Sequence, residues 1–247
     1  MSVVALCTPH GGSVIPDYYR AVLEMQSAWP QHQFIQIEVD MMIVGKARNV
    51  LVATALPLKP EVIFWVDNDT LIPPNAGILI EQAIQLGVVS GVYYNRRNPY
   101  TPQIYIKAVE PEYKGKYWPD VDIPDVGMVR RDAVGAGCLV MREDIFAKLE
   151  AAWIPRRDAA ARAIREFDPG IADIVELLSP WFEFLDRKGE DLYICERLAD
   201  IGQDVWVNCD VQCKHLSLIP IERAHFRFLL DSGILKKGTP VGEEGLL

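Results

Sequence analysis

The chain has 247 residues, half of them hydrophobic and 24% charged, which is the composition of a soluble globular protein with one large α/β domain or two small ones. Its 25 basic and 34 acidic residues leave a net charge of −9, which argues against non-specific binding to a polyanion. No apolar run is long enough to span a bilayer.

Met1–Cys7 has no basic residue ahead of its apolar stretch, so no secretory signal is expected. Five irregularly spaced cysteines suggest reduced thiols and a cytoplasmic setting. Val3–Thr8 reads as a strand closed by Pro9-His10-Gly11-Gly12. Pro16–Trp29 carries Tyr18, Val22, Met25 and Trp29 at helical spacing. Phe34–Val39 is a second strand, and Lys46–Leu56 is a helix with Val50, Leu51 and Ala55 apolar. Val62–Val66 is an apolar run rich in β-branched and aromatic residues, the mark of a strand buried on both faces. Pro74–Leu86 is a helix stopped by Gly87, and Val88–Tyr93 is a fourth strand. Strands alternating with helices of this length predict a mostly parallel sheet.

The rest is less regular. Residues 95–125 read as loops and short strands. Val134–Met141 is a strand that starts on small residues, and Glu143–Leu149 is a short helix. Residues 156–178 form a charged segment of mixed helical character, a lid or a surface insertion. Trp181–Leu185 reads as an aromatic strand and Glu190–Ile201 as a helix. Val205–Val207 and Val211–His215 are two short strands, followed by a helix over Ile221–Leu230 and a polar tail. The simplest division is one domain over 1–230 and a tail over 231–247.

Three groups stand out chemically. Asp67 and Asp69 appear as the buried strand ends, the position at which open α/β sheets bind ligands. Two carboxylates one residue apart can face one hard cation such as Mn²⁺ or Mg²⁺, although Asp-Asn-Asp is also an ordinary turn. Gly189-Glu190-Asp191 puts two carboxylates into a first helical turn, either to complement the helix dipole or to act as a general base. His215 follows Cys209 and Cys213, a set that offers zinc-type ligands at a spacing unlike common zinc motifs. Arg48 opens a helix, where it can pair with a phosphate or stay solvated.

In order along the chain, these residues resemble the GT-A class of nucleotide-sugar glycosyltransferases, the family-2-like group in particular. The matching elements are the strand ending in Thr8-Pro9, then Ala47-Arg48-Asn49, then Asp67-Asn68-Asp69 as the DxD motif. Ser90–Tyr94 with Arg96-Arg97, Val134–Leu139, Trp181-Phe182, Gly189–Cys195 and the distal His215 complete the series. The resemblance implies a GT-A, Rossmann-like α/β fold whose half 1–93 binds the nucleotide sugar and whose half 94–230 binds the acceptor. It implies Asp69 and His215 as metal ligands, with Asp67 on the ribose or on the metal through water. Thr8, Pro9 and Arg48 would lie along the nucleotide. Gly135 and Gly137 would leave room for the donor sugar, and Trp181 and Phe182 would line the acceptor site. Asp191 would be the catalytic base of an inverting reaction, with Glu190 orienting a sugar hydroxyl. A UDP-sugar donor is favoured, and the acceptor stays open among a glycan, a protein and a modified nucleic acid.

Two other functions stay in view. A sugar nucleotidyltransferase would need a basic glycine-rich loop after the first strand, where Pro9–Gly12 has no lysine or arginine. A non-catalytic sugar-nucleotide or glycan-binding module would lack turnover. Arg130, Arg131, Arg156, Arg157, Arg162 and Arg165 form either a basic face for an acidic acceptor or, preferably, a charge-balanced solvated surface.

Overall fold

The computed structural model describes residues 1–12, 15–97, 99–176, 178–184, 188–217 and 222–233. In the first half, β1 (Val3–His10), α1 (Pro16–Ala28), β2 (Gln33–Asp40) and α2 (Val44–Ala55) follow the sequence pattern closely. β3 (Val62–Val66) is buried at all five residues, as its unbroken apolar run predicts. A two-residue β4 (Thr70–Leu71) follows, and a 3₁₀ turn over Pro74–Gly77 leads into α3 (Ile78–Leu86). Gly87 ends α3 at φ 93°, a region glycine enters without penalty, and its N–H caps the Ala83 carbonyl at 2.8 Å.

β5 (Val88–Val92), β6 (Ile104–Lys107), β7 (Tyr117–Pro119), β8 (Met128–Arg131), β9 (Ala133–Val134) and β10 (Cys138–Arg142) come next. β8 has no counterpart in the sequence reading, because its Met-Val-Arg-Arg run lacks a clear alternation. The strand expected over Val134–Met141 is broken at Gly135–Gly137 into β9 and β10, which belong to different sheets. The helix expected to stop at Leu149 is α4 (Asp144–Arg165), which continues through Pro155 for 22 residues. Only its first part, at Ile145, Phe146 and Leu149, packs on the sheet. Beyond that, α5 (Pro169–Glu176) folds back on α4, with Ala161 and Ala172 buried. The charged segment is therefore a helical hairpin.

α6 (Glu190–Asp200) matches its expectation. The two strands expected between Val205 and His215 are one bulged strand, β11 (Val205–Gln212), and a short β12 (Lys214–His215). α7 (Arg223–Asp231) is the last element, and Ile221, where the final helix was expected to start, lies outside the described residues.

The main sheet has the order β2-β1-β3-β10-β5-β11-β8. β2, β1, β3, β5 and β11 run one way, and β10 and β8 run against them. Alternate side chains feed two cores. Leu6, Phe64 and Val140 meet α1 and α3 on one face, while Cys7, Trp65 and Leu139 meet α2, α4, α6 and α7 on the other. The result is an α/β domain with a mixed, mostly parallel sheet between helical layers, as expected. A three-stranded sheet β7-β6-β9 and the pair β12-β4 sit beside it.

Candidate active site

The five co-directed strands deliver their C-terminal ends to one edge of the sheet. β10 runs the other way, so Gly135–Gly137, just before it, reach the same edge. The Asp67 N–H donates to the Gly137 carbonyl at 3.1 Å, which ties the DxD turn to that glycine loop. His215 arrives through the β12–β4 ladder, where it pairs with Thr70, and the Leu216 N–H donates to the Asp69 carbonyl at 2.7 Å. A residue 146 positions from Asp69 in sequence is thus brought beside it.

Asp69 is the meeting point of two groups. His215 Nε2 lies 3.3 Å from its Oδ1 and Arg96 Nη1 2.5 Å from its Oδ2. Burial works against the Asp69 charge, but His215 and Arg96 outweigh it and hold the carboxyl below its usual pKa. Burial likewise disfavours the His215 cation, but Asp69 prevails and raises its pKa. His215 Nδ1 lies 2.7 Å from the Tyr94 carbonyl, which can only accept, so Nδ1 carries a proton and Nε2 is the nitrogen left for a cation. An imidazole and a carboxylate side by side fit one divalent cation, with imidazole favouring Mn²⁺ over Mg²⁺. Among the described residues no three His, Cys, Asp or Glu side chains gather into a fuller cage. Substrate oxygens and water would complete the coordination.

Arg48, only 1% exposed, is the hub behind this edge. Its Nη2 donates to Asp67 Oδ1 at 2.9 Å and Oδ2 at 3.2 Å, its Nε to Glu190 Oε1 at 3.3 Å, and its Nη1 to the Ala136 carbonyl at 3.4 Å. Burial opposes the guanidinium charge, and Asp67, Asp191 and Glu190 together more than restore it. The phosphate contact expected of Arg48 has no free nitrogen in this arrangement. Asp67 is held by Arg48 and does not point at the Asp69–His215 pair as a third ligand.

Asp191 stands next to that hub, in the first turn of α6. Its Oδ1 is shielded from solvent and finds no hydrogen-bond partner among the described residues. Burial and the neighbouring Glu190 carboxyl push its pKa well above the usual carboxylate range, against the pull of Arg48. Burial first, and the Asp191 charge second, raise the pKa of both the Tyr93 and the Tyr105 phenols. Tyr93 Oη accepts from the Gly137 N–H at 3.0 Å, and Tyr105 Oη donates to Gln103 Oε1 at 2.7 Å. A Cβ on Gly135 would lie 2.0 Å from Tyr93 Oη, so the room these glycines leave is filled by Tyr93. Tyr93, Gln103, Tyr105 and Arg96 carried no assigned role in the sequence. Tyr93 and Arg96 lay inside a matching stretch, and that was the available signal.

The other expected residues lie further back. Thr8 is buried, with its hydroxyl against the Tyr18 hydroxyl, and Pro9 lies in β1 opposite Val39. Phe182 is fully buried, its ring 5.4 Å from Trp65, and Trp181 Nε1 donates to the Phe146 carbonyl at 3.4 Å. Residues 181–184 are not a strand, and Leu185 lies outside the described residues. The reason is Asn49, which accepts from the Phe182 N–H at 3.1 Å and the Ser179 hydroxyl at 2.9 Å, and donates to the Phe182 carbonyl at 2.7 Å. One side chain takes the backbone groups that strand pairing would need.

Two sequence alternatives can be judged from geometry. Cys209 and Cys213 fall in the two different cores, on opposite faces of the sheet, because the bulge in β11 reverses the alternation, so they do not form a zinc site. Arg130 pairs with Asp204, Arg131 with Asp120, Arg156 with Asp200, Arg157 with Asp158 and Arg165 with Asp173. Five of the six arginines thus face carboxylates, which fits the charge-balanced surface rather than a basic face.

No protein-family model and no curated protein sequence matches this chain. Among solved structures, A197 from STIV superposes with a TM-score of 0.51 at 14% identity, over 88% of this chain and 86% of that one. At such identity the likeness is one of fold alone. TarS 1–349 of S. aureus gives 0.42 at 12% identity, over 85% of this chain and 58% of that one. A glycosyltransferase involved in the glycosylation of the major capsid of PBCV-1 gives 0.35 at 14% identity, over 83% and 92%. Superpositions this loose do not establish kinship. Fold and site together define a Rossmann-like α/β protein with a carboxylate-rich edge at its strand ends.

Proposed function

We propose that this chain is a metal-dependent GT-A glycosyltransferase. It moves a sugar from a nucleoside-diphosphate sugar, UDP-sugars favoured, to an acceptor hydroxyl with inversion. The observation that carries this reading is the meeting of two features at one sheet edge. One is an Asp69–His215 pair fit for a divalent cation, and the other is a shielded Asp191 carboxylate at the start of α6.

Asp69 and His215 would hold Mn²⁺ or Mg²⁺, which when bound supplies positive charge to the leaving diphosphate. Asp67, held by Arg48 behind the pair, would face the ribose, while Thr8 and Pro9 are buried and would support the nucleotide only from within β1. Residues 1–93 would serve mainly the donor and 94–230 mainly the acceptor, with His215 crossing over to the donor's metal. Asp191 takes the proton of the attacking hydroxyl, and its raised pKa makes it a stronger base than a solvated carboxylate. Arg48 positions Asp67 and Glu190 and offsets the negative charge gathered around Asp191. None of the described helices is long and apolar enough to cross a membrane. Five buried, unpaired cysteines favour a reducing, cytoplasmic setting.

The test is a panel of UDP-, GDP-, CMP- and dTDP-sugars incubated with Mn²⁺ or EDTA, with released nucleotide measured and Asp69→Ala as control. Metal-dependent release from one donor, lost in the variant, is the expected result. No release and no metal-dependent thermal shift with any donor would sink the reading.

A further inference from the structure

Arg96 occupies one side of the carboxylate assigned to the cation. Its guanidinium meets Asp69 Oδ2 at 2.5 Å, while His215 Nε2 faces Oδ1 at 3.3 Å. Both oxygens of Asp69 are therefore already engaged. The Arg96 side chain is 52% exposed and the Asp69 side chain 21%, so the guanidinium can swing into water and open the pair while the carboxylate stays in place. The residue also belongs to the stretch after β5 whose Tyr94 carbonyl orients His215.

We propose that Arg96 is a built-in stand-in for the divalent cation, displaced from Asp69 when the metal binds and taken up by the diphosphate of the donor. The inference rests on the reading of Asp69 and His215 as the metal pair. A metal that arrives alone must break the Arg96–Asp69 pair and leave the guanidinium to water. A metal that arrives with a diphosphate gives the guanidinium a new anionic partner of matching fork geometry. Arg96 thus couples the two binding events, and each ligand tightens the other beyond what direct metal–phosphate contact provides. Without ligands, the same arginine keeps Asp69 neutralised and the edge in order.

The test is calorimetric titration of MnCl₂ into the full chain, with and without UDP, for the wild type, Arg96→Ala and Arg96→Lys. Arg96→Ala is expected to bind Mn²⁺ alone roughly fivefold more tightly than the wild type, because the competitor is gone. UDP is expected to tighten Mn²⁺ binding less in Arg96→Ala than in the wild type, with Arg96→Lys between the two. Equal Mn²⁺ affinities for wild type and Arg96→Ala, or an undiminished effect of UDP in the variant, would overturn the inference and leave the metal site standing. No Mn²⁺ binding by any of the three, with or without UDP, would overturn the metal-dependent reading and this inference with it. The half-exposed position of Arg96 keeps loss of folding from mimicking either result, and far-UV circular dichroism of each variant checks this.

Discussion

Asp191 is a carboxylate that the proposed reaction needs ionised, in surroundings that favour its proton. Burial is the main cause and Glu190 the second. The native state therefore holds this proton more tightly than the unfolded chain does. The resulting stabilisation is full below the ordinary carboxylate pKa and is lost as pH rises through the raised one. Asp191→Asn should abolish turnover yet raise Tm at neutral pH by about 2–4 °C, with the gain vanishing below the ordinary carboxylate pKa, where the folded and unfolded wild-type carboxyls are both protonated. A Tm that falls at neutral pH would contradict this account. Glu190→Gln removes a negative neighbour, so the acid limb of kcat/KM should move to lower pH. An unmoved limb would mean that Asp191 is not the base. Arg48→Met strips a buried cation from Asp67 and Glu190, and urea unfolding should show a loss of about 3–5 kcal/mol.

Asn49 shows how one side chain can decide the form of an entire segment. Its amide satisfies the Phe182 backbone on both sides and the Ser179 hydroxyl, and Phe182 then reaches Trp65 and lies 5.9 Å over the Arg48 guanidinium. Asn49→Ala would orphan these groups and loosen the cover over the hub. A destabilisation of about 2 kcal/mol is expected, together with faster proteolysis between Ser179 and Phe184. Unchanged cleavage there would show that the segment is held by something else. The glycine break between β9 and β10 works in a related way. It lets a backbone N–H meet Tyr93 and turns an apolar run into two strands of different sheets.

The main sheet interleaves the two halves of the chain. β10 from the second half lies between β3 and β5 of the first, and β11 extends the sheet beyond β5. Neither half can complete its layer without the other, so urea unfolding should be one transition. The six tryptophans, spread over both halves, should report the same midpoint as far-UV circular dichroism. Two separated midpoints would show that the halves fold independently.

Local pattern was enough for much of this protein. The apolar run of β3, the helical spacing of α1 and α3, the Gly87 stop and the carboxylates at the start of α6 are properties of neighbouring residues, and backbone geometry acts on neighbours. The resemblance drawn from motif order also brought Asp69 and His215 together. What only the tertiary structure decided is which charge meets which. Arg48 lies 19 positions from Asp67 and 142 from Glu190, and Arg96 lies 27 from Asp69. No periodicity records such pairings. They follow from how the strand ends converge, and burial then makes the choice of partner matter, since a charge removed from water must find its counter-ion where the fold has put one.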